Sequence, residues 1–130
     1  MLTARQRLGM RGESIAAKWL ALRGWEILDR RFQNGHRDLD LVVCRFTDNS
    51  NERLVAFVEV RTRYSTDFGT PAETVGWKKR RELARSARVW IASNRCSGDQ
   101  YRFDVVGVII GGARVQIQYV PDAFWVDSRR

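Results

Sequence analysis

Residues 53–63 read RLVAFVEVRTR. The five consecutive apolar residues from Leu54 to Val58 are the signature of a buried strand, and Glu59 and Arg61 then interrupt it. Side chains alternate across a strand, so Val55, Phe57, Glu59 and Arg61 share one face. Leu54, Ala56, Val58 and Val60 share the other, which is wholly apolar. The first face ends in a carboxylate and a guanidinium at the strand's C-terminal end. What the rest of the chain brings to that edge decides what these charges are for.

The flanking elements follow from periodicity and breakers. Thr3 is placed to cap a helix running to about Arg23, with Gly24 as its stop. Leu8, Ile15, Trp19 and Leu22 mark its apolar stripe, and Gly9 and Gly12 are expected to let it approach a sheet closely. Glu13 falls at the border of that packed face. A first strand begins at Trp25, Asn34-Gly35 makes a tight turn, and a second strand, DLDLVVCRF, begins at Asp38. The polar stretch TDNSNE leads into the third strand. Gly69 and Pro71 make RYSTDFGTP a loop. A helix is expected from about Glu73 to Ser93, broken near Gly76, with Leu83, Ala87, Trp90 and Ile91 as its apolar line. YRFDVVGVII, a Gly111-Gly112 turn and ARVQIQYV give two more strands, and PDAFWVDSRR a short apolar anchor with a basic tail. The order α, β, β, β, α, β, β predicts a single α/β domain across residues 1–130, with a mixed central sheet flanked by helices.

Charge narrows the function classes. The formal net charge is +8, and the 23 basic residues comprise 20 Arg and three Lys. That excess favours a polyanionic partner, and nucleic acid above an anionic membrane. The guanidinium fork suits phosphate, although a GC-rich genome also favours Arg over Lys. No apolar run approaches the length of a membrane-spanning helix, and the N-terminus carries no apolar stretch suited to secretion, so a cytoplasmic protein is expected. Cys44 and Cys96 stand far apart, which argues against a zinc site and for reduced, packed thiols.

In the second strand Leu39, Leu41 and Val43 are expected on one face, with Asp38, Asp40, Val42 and Cys44 on the other. Pairing it with the third strand as a hairpin brings Asp40 to the Glu59 side, at one edge of the sheet. Two adjacent carboxylates raise each other's pKa unless a cation joins them. Mg²⁺, or Mn²⁺, suits such a site, with the Val60 carbonyl as a further oxygen. On spacing alone, the simpler account of Asp40, Glu59 and Arg61 is a cross-strand ion-pair cluster on a solvated face.

A wider set of residues reverses that preference. RGESIAAKWLALRGWEILDRRF, DLDLVV, FVEVRTR, a helix bearing two lysines and RFDVV occur in that order. In this the chain resembles the YraN-type family of small bacterial proteins, within the PD-(D/E)xK nuclease-like superfamily and similar to archaeal Holliday-junction resolvases. The resemblance implies a restriction-endonuclease-like fold and a metal-dependent endonuclease acting on DNA. It implies Asp40 and Glu59 as metal ligands, Glu13 as a supporting acid, Arg61 in the position of the catalytic lysine and Lys79 as a phosphate contact. Lys78 and Arg63 are expected to touch the nucleic acid beside Lys79. Resolvase-like relatives imply a homodimer, and residues 123–126, AFWV, serve either as its interface or as core. Asp104 is expected to pair with Arg102 or a nearby loop.

Two departures bear on catalysis. Asp38 stands where the family pattern has Glu. Arg61 stands where it has Lys, and a guanidinium does not deprotonate to act as a base. A nuclease fold that binds nucleic acid with weak or no cleavage is therefore the alternative reading, and a basic adaptor with a degenerate site a more distant one. His36, in a turn beside the site, is open between a phosphate contact or a base and an incidental loop residue, and Tyr64, Phe68 and Trp77 are open between stacking on unpaired bases and packing on their own domain.

Overall fold

The computed structural model describes residues 1–35, 37–48, 51–64 and 70–126, with the backbone alone described at Arg37. Helix α1 spans Ala4–Leu22 and is followed by β1 (Glu26–Asn34), β2 (Arg37–Phe46) and β3 (Arg53–Arg63). A 3-10 turn at Ala72–Thr74 precedes α2 (Trp77–Asn94), and β4 (Gln100–Gly111) and β5 (Arg114–Phe124) complete the chain. The strands lie in chain order, β1-β2-β3-β4-β5. Only β3 and β4 are parallel among the paired strands, and α2 makes the crossover that a parallel pair requires.

Local chemistry accounts for the ends of α1. The Thr3 hydroxyl accepts from the Gln6 N–H, and the Gln6 side chain accepts from the Thr3 N–H, a reciprocal cap that typically contributes about 1 kcal/mol. At the other end Gly24 has φ +92°, and the Gly24 and Trp25 N–H groups return to the Ala21 and Leu20 carbonyls. That paired return is how a glycine in the left-handed region terminates a helix.

Each helix covers one face of the sheet. Ala16, Ala17 and Leu20 of α1 pack on Leu41, Val43, Ala56, Val58, Val106 and Val108. Leu83, Ala87 and Trp90 of α2 pack on Val42, Val55, Phe57 and Val105. The expected α/β domain with a mixed sheet between helices is therefore the one observed, and β3 lies at its centre.

Gly12 sets how close α1 comes. A Cβ at Gly12 would overlap the Thr62 hydroxyl and lie 2.7 Å from Thr62 Cβ, so the helix rests directly on the end of β3. Gly9, expected to act likewise, has nothing near it.

Three expectations are corrected. Leu39 does not share a face with Leu41 and Val43: it packs on the α2 side with Val42 and its β1 partner Phe32. Both strands change face at one level, where Arg31 takes the left-handed φ of +51° opposite Asp40. The second concerns β5, which runs on through Pro121 to Phe124 instead of giving way to a separate anchor. Asp122, at φ +48°, donates its N–H to Asp104 Oδ1, and the β4–β5 register shifts between Phe103 and Val105. The buried carboxylate holds the bulge, and Pro121 is tolerated because β5 is an edge strand. Third, Cys44 is buried as expected, but Cys96 is exposed; both are free thiols. His36, Phe68, Gly69 and the basic tail from residue 127 lie outside the described residues. Among the described residues no helix is long and apolar enough to cross a membrane.

Candidate functional site

The site forms where the β2–β3 ladder ends. The regular pairing stops at Leu41 opposite Val58. One residue further, the Asp40 carboxylate takes the place of a backbone acceptor: its Oδ2 receives the Val60 N–H at 2.8 Å. Burial, and then the charge of Glu59, push Asp40 up to about 8 from the ordinary 3.8, against the opposing pull of the Val60 N–H. The two carboxyl groups are close enough to share a hydrogen bond when Asp40 keeps its proton.

Glu59 is 5% exposed. Its Oε2 is 3.0 Å from Arg61 Nη2, while its Oε1 is buried with no hydrogen-bond partner among the described residues. Among the described residues Arg61 Nε and Arg63 Nη1 are also buried without partners. Residues 59, 61 and 63 alternate along β3, so one acceptor and two donors with no partner among the described residues line up on one strand face. Buried polar atoms normally find partners, and leaving them alone costs about 1–3 kcal/mol each. Three of the four such side-chain atoms among the described residues lie here, and the fourth is Ser86 Oγ on α2.

On the α1 side, Glu13 meets Arg31: Nη2 lies 3.0 Å from Oε2. Burial and then Asp40 raise the Glu13 pKa, and Arg31 opposes them. An open cleft of about 320 Å³ runs between the first turns of α1 and the β1–β2 edge, with Glu13, Arg31, Asp38 and Asp40 in its wall. Arg31 was not foreseen. In the sequence it is one of two arginines in a strand, and nothing there signals its left-handed φ.

From α2, Lys79 lies near enough for its charge to lower the Asp40 pKa. The structure therefore groups Glu13, Asp40, Glu59, Arg61 and Lys79, with Arg63 at the end of the same strand. Lys78 points elsewhere, onto the outer surface of α2 beside Trp77 and Arg81. Tyr64 is 68% exposed just beyond β3. Asp104 belongs to a different cluster. It is fully buried and accepts from Arg102 Nε, the Tyr119 hydroxyl and the Asp122 N–H, the structural role expected of it.

The donors can be tested against a divalent cation. Asp40 and Glu59 offer hard carboxylate oxygens, and Glu59 Oε1 is an orphan acceptor. No group of three or more His, Cys, Asp or Glu side chains that could hold a metal occurs among the described residues. Two carboxylates completed by water and a phosphate suit Mg²⁺ or Mn²⁺ and not a closed structural zinc site.

The layered sheet, with acidic and basic side chains gathered at the end of its central strands, defines a restriction-endonuclease-like α/β domain. Sequence comparison places it more narrowly: residues 12–108 match the model of Uncharacterised protein family UPF0102, and the chain belongs to that family. A UPF0102 protein of Anaeromyxobacter dehalogenans is 41% identical over 125 residues, covering 96% of this chain and 89% of the relative. One from Syntrophotalea carbinolica is 38% identical over 128 residues, covering 98% and 99%. The resemblance to YraN-type proteins is thereby borne out.

Proposed function

We propose that the protein is a metal-dependent endonuclease that binds DNA across the end of β3. The observation that supports it best is the row of unpartnered buried atoms, Glu59 Oε1, Arg61 Nε and Arg63 Nη1. An orphan carboxylate oxygen calls for a cation, and orphan guanidinium donors call for an anion. A phosphodiester held beside a divalent ion satisfies both.

In this reading Asp40 and Glu59 hold Mg²⁺ or Mn²⁺. The bound ion supplies charge at the scissile phosphate and lowers the pKa of a water. The Val60 N–H fixes the Asp40 carboxylate, and Arg61, braced by Glu59, presents its free Nε toward a phosphate oxygen. Lys79 and Arg63 neutralise adjacent phosphates. Glu13 supports the site from α1 and holds Arg31 at the mouth of the cleft. The net charge of +8 supports a polyanionic partner. A cytoplasmic setting and a homodimer belong to the same proposal, with the indole of Trp125, 82% exposed, as the contact to examine first.

The test is cleavage of branched, single-stranded and duplex DNA by the purified protein with Mn²⁺, beside Asp40→Asn. Cleavage is expected in the wild type and is expected to vanish in the variant. Equal cleavage by both would remove the activity from this site.

One observation favours a second reading. Arg61 is engaged by Glu59 and carries no proton it can surrender at neutral pH. A nuclease-fold module that binds nucleic acid and no longer cuts it fits the same residues. It predicts salt-dependent binding in both proteins and cleavage in neither.

A further inference from the structure

The five tryptophans of the chain divide between core and surface, and Trp125, just past β5, is 82% exposed. Trp19, Trp25 and Trp90 belong to the two cores. Trp77 does not: it is the first residue of α2, is 70% exposed and joins neither core cluster. Lys78, Arg81, Arg85 and Arg88 are exposed on the same helix. Their spacing of three and four residues makes one stripe, opposite the apolar line of Leu83, Ala87 and Trp90.

Trp77 is also held in place. The Arg81 guanidinium carbon lies 5.6 Å from the centre of its ring, a cation–π contact that restrains the indole without covering it. Trp77, Lys78, Arg81 and Arg85, with Glu82 as the acid among them, line an open recess of about 270 Å³. Flat aromatic surface with cations on either side is the chemistry that takes a base by its face and its phosphates by their charge.

Position links this recess to the site at β3. Lys79, two residues on from Trp77, turns inward to the field of Asp40. Trp77 and Lys79 therefore lie within one helical turn, about 3 Å apart along the axis and about 200° apart around it. A strand whose phosphate reaches Lys79 meets Trp77 by crossing the N-terminal end of α2.

We propose that Trp77, flanked by Lys78, Arg81 and Arg85, is a stacking subsite for an unpaired base of single-stranded DNA next to the Asp40–Glu59 site. The inference rests on the DNA-binding part of the proposed function and adds to it a preference: unpaired bases are gripped, and paired ones are not. A duplex keeps its base faces stacked on one another and offers Trp77 only phosphates.

The experiment is fluorescence anisotropy of the full chain, without divalent ions so that nothing is cut, on a short labelled oligo-dT, an oligo-U of equal length and a blunt duplex. Trp77→Ala is expected to weaken oligo-dT binding about tenfold and duplex binding less than twofold. Trp77→Phe, which keeps a π-face, is expected to stay close to wild type. Trp77 is exposed, so its loss leaves the core intact, and circular dichroism of the variant checks this. Unchanged oligo-dT binding by Trp77→Ala, or an equal loss on the duplex, overturns the subsite and leaves the site at β3 standing. Oligo-U bound as tightly as oligo-dT, with the same loss in the variant, overturns the assignment to DNA. A wild type that binds none of the three overturns the DNA-binding reading itself and the subsite with it.

Discussion

The Asp40 carboxylate is hydrogen-bonded to the Val60 N–H at 2.8 Å, where the β2–β3 ladder would otherwise need a backbone carbonyl. One side chain thus ends the pairing of two strands and stands beside Glu59. Its position is fixed by the sheet, and its charge is opposed by its neighbour.

Asp40→Asn is therefore expected to stabilise the metal-free protein. The amide oxygen can still accept the Val60 N–H, and the amide hydrogens suit the orphan Glu59 Oε1. The sign with pH follows from the direction of the shift. Folding raises the Asp40 pKa from 3.8 to about 8, so the folded state favours the protonated form. Its contribution is complete below about pH 4 and is lost as the pH rises through about 8. Thermal melts of wild type in chelator should fall relative to Asp40→Asn across that window, by at least about 1 kcal/mol at pH 8. Mn²⁺ should raise the wild-type midpoint and leave the variant where it was. A variant less stable than wild type at pH 8 would contradict the crowding of the two carboxylates.

Arg31 offers a test of backbone strain. A non-glycine residue at φ +51° costs roughly 1–2 kcal/mol against the right-handed alternative, and glycine escapes the penalty. The half-exposed pair with Glu13 contributes at most about 1 kcal/mol. Arg31→Gly is expected to equal or exceed wild type in urea denaturation, and Arg31→Ala to fall about 1 kcal/mol below Arg31→Gly. If the alanine variant matches the glycine variant, the left-handed geometry costs nothing in the folded chain.

Much of this was legible in the residues, and the misses share a cause. Thr3, Gly24 and Gly76 delimit the helices because caps and stops act within a few residues of themselves. The meeting of Asp40 and Glu59 followed from hairpin register together with the family resemblance. Leu39 was misplaced because period-two alternation assumes an uninterrupted strand. The face change depends on Arg31, whose φ no glycine or asparagine announced. Likewise Pro121 read as the end of β5, whereas the Asp104 carboxylate, distant in sequence, carries the strand past it. The unpartnered atoms on β3 were invisible, since absence of a partner is a property of packing.

The Asp104 cluster should separate the loss of its buried charge from the loss of the hydroxyl that bridges it. Asp104→Ala leaves the largely buried Arg102 guanidinium without its counter-ion and frees the Asp122 N–H that holds the β5 bulge. Losing one partner of a buried pair typically costs about 3–5 kcal/mol. Tyr119→Phe removes the hydrogen bond donated to Asp104 and the one accepted from Arg102 Nη2 and keeps the ring against Trp19, for about 1–2 kcal/mol. Chemical denaturation of both variants gives the comparison, and similar losses would mean that Arg102 finds another partner.

Arg61→Lys decides whether the basic residue limits catalysis. The guanidinium contacts Glu59 through Nη2, and Nε has no partner among the described residues, so it can hold a phosphate oxygen, but arginine as a residue type does not serve as a general base. A lysine at the same position can approach both Glu59 and a water. Burial lowers an ammonium pKa toward the range where proton transfer becomes effective. On the endonuclease reading, Arg61→Lys is expected to raise single-turnover cleavage with Mn²⁺ at least about tenfold, toward the 10²–10⁴-fold that a positioned acid or base contributes. DNA affinity is expected to fall only a few-fold, because the charge is retained and the fork is lost. Cleavage gained only in the lysine variant would identify the natural protein as a binding module one residue from activity. Unchanged cleavage in a wild type that already cuts would show that Arg61 clamps phosphate and that the proton leaves by another route.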